Sequence, residues 1–142
     1  MVMAVEKTTK EYFSVLNAHD FEKMVSFYNE DAVDECLGSG TIMQGKNEIK
    51  SYFKEMANSF PDFKFEIKNY FESGNWSAVE WILSGTHSGS PITGIPPSGK
   101  HFSFRGVDIV EKRNGKISHT VAYWNMMDFL KQVGMAPPMP SK

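Results

Sequence analysis

Asn114-Gly115 separates two strand-like runs, Phe102 to Arg113 and Lys116 to Met126, and nothing else in the chain restricts its fold so tightly. A type I′ turn needs positive φ at both central residues, which asparagine and glycine tolerate, so the pair predicts a two-residue β-hairpin. Facing residues in such a hairpin sum to a constant, which sets Gly106 opposite Tyr123, Asp108 opposite Val121 and Val110 opposite His119. One face then carries Gly106, Asp108, Val110, His119, Tyr123 and Asn125; the other carries Arg105, Val107, Ile109, Thr120, Ala122 and Trp124. A bulge in either strand would shift that list.

A second hairpin precedes it. Phe63, Phe65, Ile67, Asn69 and Phe71 alternate with Lys64, Glu66, Lys68, Tyr70 and Glu72, the period of a strand with one buried face. Gly74-Asn75 turns the chain, and Trp76 to Thr86 returns as a strand rich in aromatic and β-branched residues. The Gly, Ser and Pro-rich stretch from His87 to Lys100 joins the two hairpins. A compact domain seldom keeps so long a connection unless it frames something, so the stretch is expected at the rim of a pocket.

Helical spacing dominates the first half of the chain. Val5, Tyr12, Phe13 and Leu16 share a face; Asp20 is a candidate N-cap for a short helix through Phe21, Met24, Val25 and Tyr28. Ala32 to Leu37 reads as a short strand in which Asp34 and Glu35 are unusual. Ile49, Tyr52, Phe53, Met56 and Phe60 make the broadest apolar stripe, that of a third helix. Met127 to Val133 predicts a last short helix stopped by Gly134, and the prolines after it forbid its continuation. Helices first and strands afterwards predict one α+β domain over residues 1–142, its ordered core about 5–134 and its proline-rich tail, 135–142, flexible. The architecture expected is a cone-shaped, curved antiparallel sheet with three N-terminal helices on one face, enclosing a pocket.

Charge and cysteine usage narrow the classes of function. The formal charge of −2 is interspersed rather than blocked, so no cationic face awaits a phosphate backbone, and nucleic acid is not an expected partner. The lone Cys36 excludes an internal disulfide framework and a multi-cysteine zinc site and fits a reducing compartment. No secretory core or bilayer-length apolar run stands in the sequence, so the expected location is cytoplasmic, without a membrane partner.

Three segments, in order, carry a resemblance. They are Asn17-Ala18-His19-Asp20 with Ser26-Phe27-Tyr28; Gly85-Thr86-His87-Ser88-Gly89 with Gly94-Ile95-Pro96-Pro97-Ser98-Gly99; and Phe104-Arg105-Gly106-Val107-Asp108-Ile109 with Asn114-Gly115-Lys116-Ile117. Together they resemble the SnoaL-like polyketide cyclase group of the nuclear transport factor 2-like superfamily, over about Val5 to Gly134. The resemblance implies an oligomeric α+β cone with a hydrophobic pocket and ring closure of a polyketide ester by an aldol reaction, needing no metal or cofactor. It also implies an aspartate general acid/base helped by a histidine. By position the family histidine falls at or near Asp108 and the family aspartate at Ala122 or Asn125, neither of which transfers a proton. Compared with the ketosteroid isomerases of the same superfamily, Tyr12 lies near their oxyanion-stabilising tyrosine, and Cys36 stands where their aspartate base would be.

The candidate site is therefore Asp108 and His119 as catalytic groups, with Tyr12, Cys36, Trp81, Tyr123 and Asn125 binding a hydrophobic, carbonyl-bearing small molecule; no metal or cofactor is implied. Two readings stay open. One is a cofactor-free cyclase, isomerase or lyase working by acid–base chemistry; the other is a ligand-binding or protein-interaction module on the same fold. Epoxide hydrolysis would need Asp108 and Arg105 in one pocket, which the hairpin register opposes. Apolar residues on both faces of the later strands predict a homodimer through the outer side of the sheet.

Overall fold

Six strands in the order β2-β1-β6-β5-β4-β3 make one sheet, described here from a computed structural model covering residues 4–92 and 94–136. From residue 137 onward, the tail expected to be flexible lies outside the described residues. The strands are β1 (Tyr28–Cys36), β2 (Thr41–Gln44), β3 (Lys64–Ser73), β4 (Trp76–Thr86), β5 (His101–Arg113) and β6 (Lys116–Trp124). Helices α1 (Lys7–Asn17), α2 (Phe21–Met24), α3 (Gly45–Ser59) and α4 (Met126–Gln132) complete the chain. The sheet is curved and unclosed, with the helices on one side. Among the described residues no helix is long and apolar enough to cross a membrane.

Local chemistry explains most of these boundaries. The Asp20 carboxylate caps α2 by accepting the Lys23 amide at 3.1 Å. Asn17 locks the end of α1 to β3 by giving and taking a hydrogen bond with the Phe65 main chain, each 2.8 Å. His19, at φ 59°, turns the chain and stacks its ring on Phe63 with centroids 4.1 Å apart. Asn114 (φ 55°) and Gly115 (φ 78°) adopt the left-handed conformation their turn requires.

The sheet departs from the expected meander at one place. Thr41 to Gln44 adds a short strand, β2, and β1 lies parallel to β6, whereas every other pairing is antiparallel. The N-terminal strand thus returns to the middle of the sheet beside the last strand, which a period count along the chain does not reveal.

A second departure decides which residues share a face. The β5–β6 register follows the turn at Arg113↔Lys116 and Lys112↔Ile117, then shifts so that Glu111 pairs with His119. Ser118 is the extra residue of a bulge, and beyond it every β6 side chain changes sides relative to the unbulged hairpin. Asp108 therefore pairs with Ala122 and Gly106 with Trp124. The core forms where the inner face of the sheet meets the helices, around Tyr28, Ile49, Phe63, Phe102 and Leu16.

Candidate functional site

Alternation along each strand sends one set of side chains inward, and together with the buried faces of α1 and α3 these enclose a cavity of about 570 Å³. Ser77, Val79, Trp81 and Leu83 of β4, Phe104 and Asp108 of β5, Thr120, Ala122 and Trp124 of β6, and Asp34 and Cys36 of β1 line its sheet wall. Tyr12 and Phe13 come from α1; Tyr52, Phe53 and Met56 come from α3. The loop after β4 contributes Ser90, Pro91 and Ile92, so the stretch expected at the rim does line the cavity. The Gly89 and Ser90 amides hold that loop on α3 by donating to the Ser59 and Asn58 carbonyls at 3.1 and 2.8 Å.

Two carboxyl groups face this apolar space. Asp34 is buried at 5% exposure, Asp108 is half-buried, and both line the cavity. Among the described residues neither carboxyl accepts a hydrogen bond of ordinary geometry. Removal from water pushes the pKa of Asp108 up to about 7, against a weaker opposing pull from the Trp81 indole N–H. That N–H falls short of a proper hydrogen bond and has no other partner among the described residues. Burial likewise raises Asp34 to about 8, and the negative charges of Asp108 and then Glu35 add to the rise.

Hydroxyl and thiol groups surround the pair. Tyr12 and Tyr28 share a short hydrogen bond, 2.5 Å between oxygens. Burial first keeps both phenols protonated far above their ordinary range, followed by the Asp34 charge for Tyr12 and by Tyr12 and then Asp34 for Tyr28. The Cys36 Sγ accepts the Trp124 indole N–H at 3.0 Å and lies 3.1 Å from the Tyr52 hydroxyl. The room for Trp81 comes from Gly106, where a Cβ would lie 2.3 Å from the indole ring.

Of the residues singled out from the sequence, Asp108, Tyr12, Cys36 and Trp81 all line this cavity. The others do not join them, because the Ser118 bulge turns their half of β6 over. His119 lies on the outer face, its Nε2 2.5 Å from Glu35 Oε2, and Tyr123 is 48% exposed on that same face. Asn125 instead caps α4, its side-chain oxygen accepting the Met127 and Asp128 amides at 3.0 and 3.3 Å. Arg105 pairs with Glu80 at 2.7 Å on the outside, away from Asp108, as the hairpin register expected. Asp34 is the site residue the sequence reading passed over. Its signal was the alternation Ala32, Asp34, Cys36, which places the carboxylate on the buried face of β1.

Among the described residues no three His, Cys, Asp or Glu side chains converge as a metal site. His87 Nε2 is taken up by the Ser90 carbonyl and His101 Nδ1 by the Thr86 hydroxyl.

A curved, unclosed six-stranded sheet with helices on one side and a cavity between them defines the class of ketosteroid isomerase-like and nuclear transport factor 2-like proteins. A family model for SnoaL-like polyketide cyclases matches residues 6–133, and the chain belongs to that family. The fold is similar to that of IdmH, a candidate polyketide cyclase from Streptomyces antibioticus: TM-score 0.77 and 22% identity over 89% of this chain and 96% of that one. It is also similar to a protein of ketosteroid isomerase-like fold from Catenulispora acidiphila, crystallised with trimethylamine: TM-score 0.81, 14% identity, 96% and 100% coverage. A phenazine biosynthesis-related protein from Pseudomonas aeruginosa superimposes with TM-score 0.77 and 21% identity, over 96% of this chain and 88% of that one. Among curated proteins, none matches the sequence significantly.

Proposed function

We propose that the protein is a cofactor-free acid–base catalyst that closes a ring in, or isomerises, a hydrophobic carbonyl compound held in this cavity. The observation that carries the reading is the pair Asp34 and Asp108: two carboxyl groups that accept no hydrogen bond of ordinary geometry among the described residues, facing one largely apolar cavity. Because their proton affinities lie at about 7 and about 8, the pair holds about one proton between those pH values. Asp108 as the carboxylate then takes a proton from the carbon next to the ligand carbonyl. Protonated Asp34, with the Tyr12 hydroxyl beside it, donates a hydrogen bond to the enolate oxygen that forms and keeps its proton. In an isomerisation Asp108 returns the proton to another carbon. In a ring closure the enolate carbon bonds to a second carbonyl of the same molecule, whose oxygen receives the proton carried by Asp108, which is left as the carboxylate.

Membership of the cyclase family supports this chemistry, and so does the likeness of the fold to proteins named for polyketide and phenazine biosynthesis. The family aspartate's absence from β6 is offset by Asp34 on the adjacent β1, whose parallel register sets it beside Thr120. We place the protein in the cytoplasm as a homodimer, joined through the outer face of the sheet.

Solvent exchange tests the proposal. With the wild-type protein in deuterated buffer, ring-fused ketones such as 2-tetralone should take up deuterium beside the carbonyl faster than in buffer alone, read by mass spectrometry. Asp108→Asn should lower that rate about 100-fold or more. The rate should peak in a narrow bell, rising through about pH 7 and falling through about pH 8, as the pair passes through its singly protonated form. Exchange no faster than buffer, alongside a co-purified ligand that stays bound and unchanged, would replace this reading by the binding-module one.

A further inference from the structure

The cavity does not end at the two aspartates. Along β4 its lining alternates Ser77, Val79, Trp81, Leu83, and Asp108 sits across from Val79. Two residues of strand span roughly 7 Å. Toward the loop the wall is aromatic, with Trp81, Phe104, Trp124 and Phe129, for four residues or roughly 13 Å of β4. In the other direction, one step past Asp108, it meets Ser77 and then a polar cavity of about 250 Å³. Thr8, Ser77, Lys112 and Gly115 line both spaces, so the small cavity adjoins the large one as a vestibule.

Lys112 is the centre of that vestibule. Its parity on β5 is that of Asp108 and Val110, so it faces inward, and its side chain is only 20% exposed. The ammonium bonds to Glu6, the residue that opens α1, whose carboxylate also accepts the Thr9 hydroxyl at 3.2 Å. An ammonium has three donors, and among the described residues Glu6 is the only acceptor paired with this one, which leaves two N–H groups for the cavity. Its charge, however, is already matched. Glu72, bonded to the Tyr70 hydroxyl at 2.9 Å, lies on the same wall, so the vestibule as a whole carries one negative charge more than positive.

We propose that the vestibule is a subsite for an uncharged hydrogen-bond acceptor, an amide, ester or ketone carbonyl, that ends the short arm of an elongated ligand. The inference rests on the reading of the main cavity as a ligand site. It adds polarity and shape: the reacting carbonyl lies at Asp34 and Asp108, a bulky aromatic or apolar arm runs toward Ile92, and a short arm brings its terminal acceptor to Lys112. A carboxylate in that place meets Glu6 and Glu72 and is disfavoured.

Three probes separate the possibilities in full-length protein, followed through the fluorescence of the cavity tryptophans: 2-butylnaphthalene, 4-(2-naphthyl)butanamide and 4-(2-naphthyl)butanoate. The amide is expected to bind about tenfold tighter than the butyl compound, the scale of one buried hydrogen bond, with the butanoate no tighter than the butyl compound. Lys112→Met should erase the amide's advantage, Lys112→Gln should keep part of it, and Glu6→Gln should make the butanoate the tightest of the three. The wild-type ranking alone decides if a variant does not fold. An amide preference that survives Lys112→Met, or a butanoate that binds wild type most tightly, overturns the subsite. Equal affinities for all three overturn it and leave the main cavity standing, whereas no binding by any probe overturns both.

Discussion

Asp34 and Asp108 make a demand on stability that is separate from their chemistry. A carboxyl group whose proton affinity is raised by folding stabilises the fold fully at pH below its unfolded value, near 4, and loses that contribution as pH rises through the folded value. For this pair the loss runs from about pH 4 through about 7 and 8. Denaturant unfolding of wild type compared with an Asp34→Asn, Asp108→Asn double variant should therefore show a difference that changes by on the order of several kcal/mol between pH 4 and pH 8. Wild type should lose ground toward alkaline pH. A flat difference would mean that the carboxyls are better hydrated than their surroundings indicate. Asp108 was legible in the sequence as a charge within an apolar strand; Asp34 was less so, because Glu35 beside it belongs to the opposite, half-solvated face. Nor does any local signal announce the Tyr12–Tyr28 bond, which joins residues sixteen apart across two elements.

Elements were read more securely than their pairings. The long helix α3, the β3–β4 hairpin and the Asn114-Gly115 turn each carry a local signature of period or backbone conformation and stand where that signature put them. A bulge at Lys68, however, inverts the far half of β3, so that Tyr70 is buried and Phe71 exposed where the period expected the reverse. The bulge at Ser118 carries none, since serine fits a regular strand as well as an irregular one, and so the face of β6 was inverted. The parallel contact of β1 with β6 is likewise a long-range event without a short-range cue. At this scale a tight fit joins β4 and β5, where the Trp81 ring lies over Gly106. Gly106→Ala sets a methyl group 2.3 Å from that rigid ring, so the indole must leave its place against Asp108. A loss of about 1–3 kcal/mol in chemical denaturation is expected, together with altered tryptophan emission. An unchanged midpoint and spectrum would show that the strand shifts freely instead.

The whole molecule presents two unlike surfaces. Inside is the cavity; outside, the register aligns Phe71, Ala78, Ile109 and Val121 in one row across four strands. That row continues through Glu35 to Ile42, which is 55% exposed, and Tyr123 stands in the next row. An apolar stripe of this extent suits a second copy of the chain. Light scattering at micromolar concentration should give twice the 16.1 kDa protomer mass, and Ile109→Glu should halve it. A wild-type monomer across that range would leave the stripe without the partner proposed for it.

The extra residue at Ser118 has one more consequence. Because side chains on a strand alternate, the presence of that single residue, and not the identity of those after it, decides whether Thr120, Ala122 and Trp124 or His119, Val121 and Tyr123 face the cavity. One codon gained or lost there exchanges the whole set at a stroke, trading an alanine and an indole for a histidine and a phenol. In a lineage built on this frame, the inventory of reactive groups can change by insertion and deletion, with no catalytic residue substituted at all.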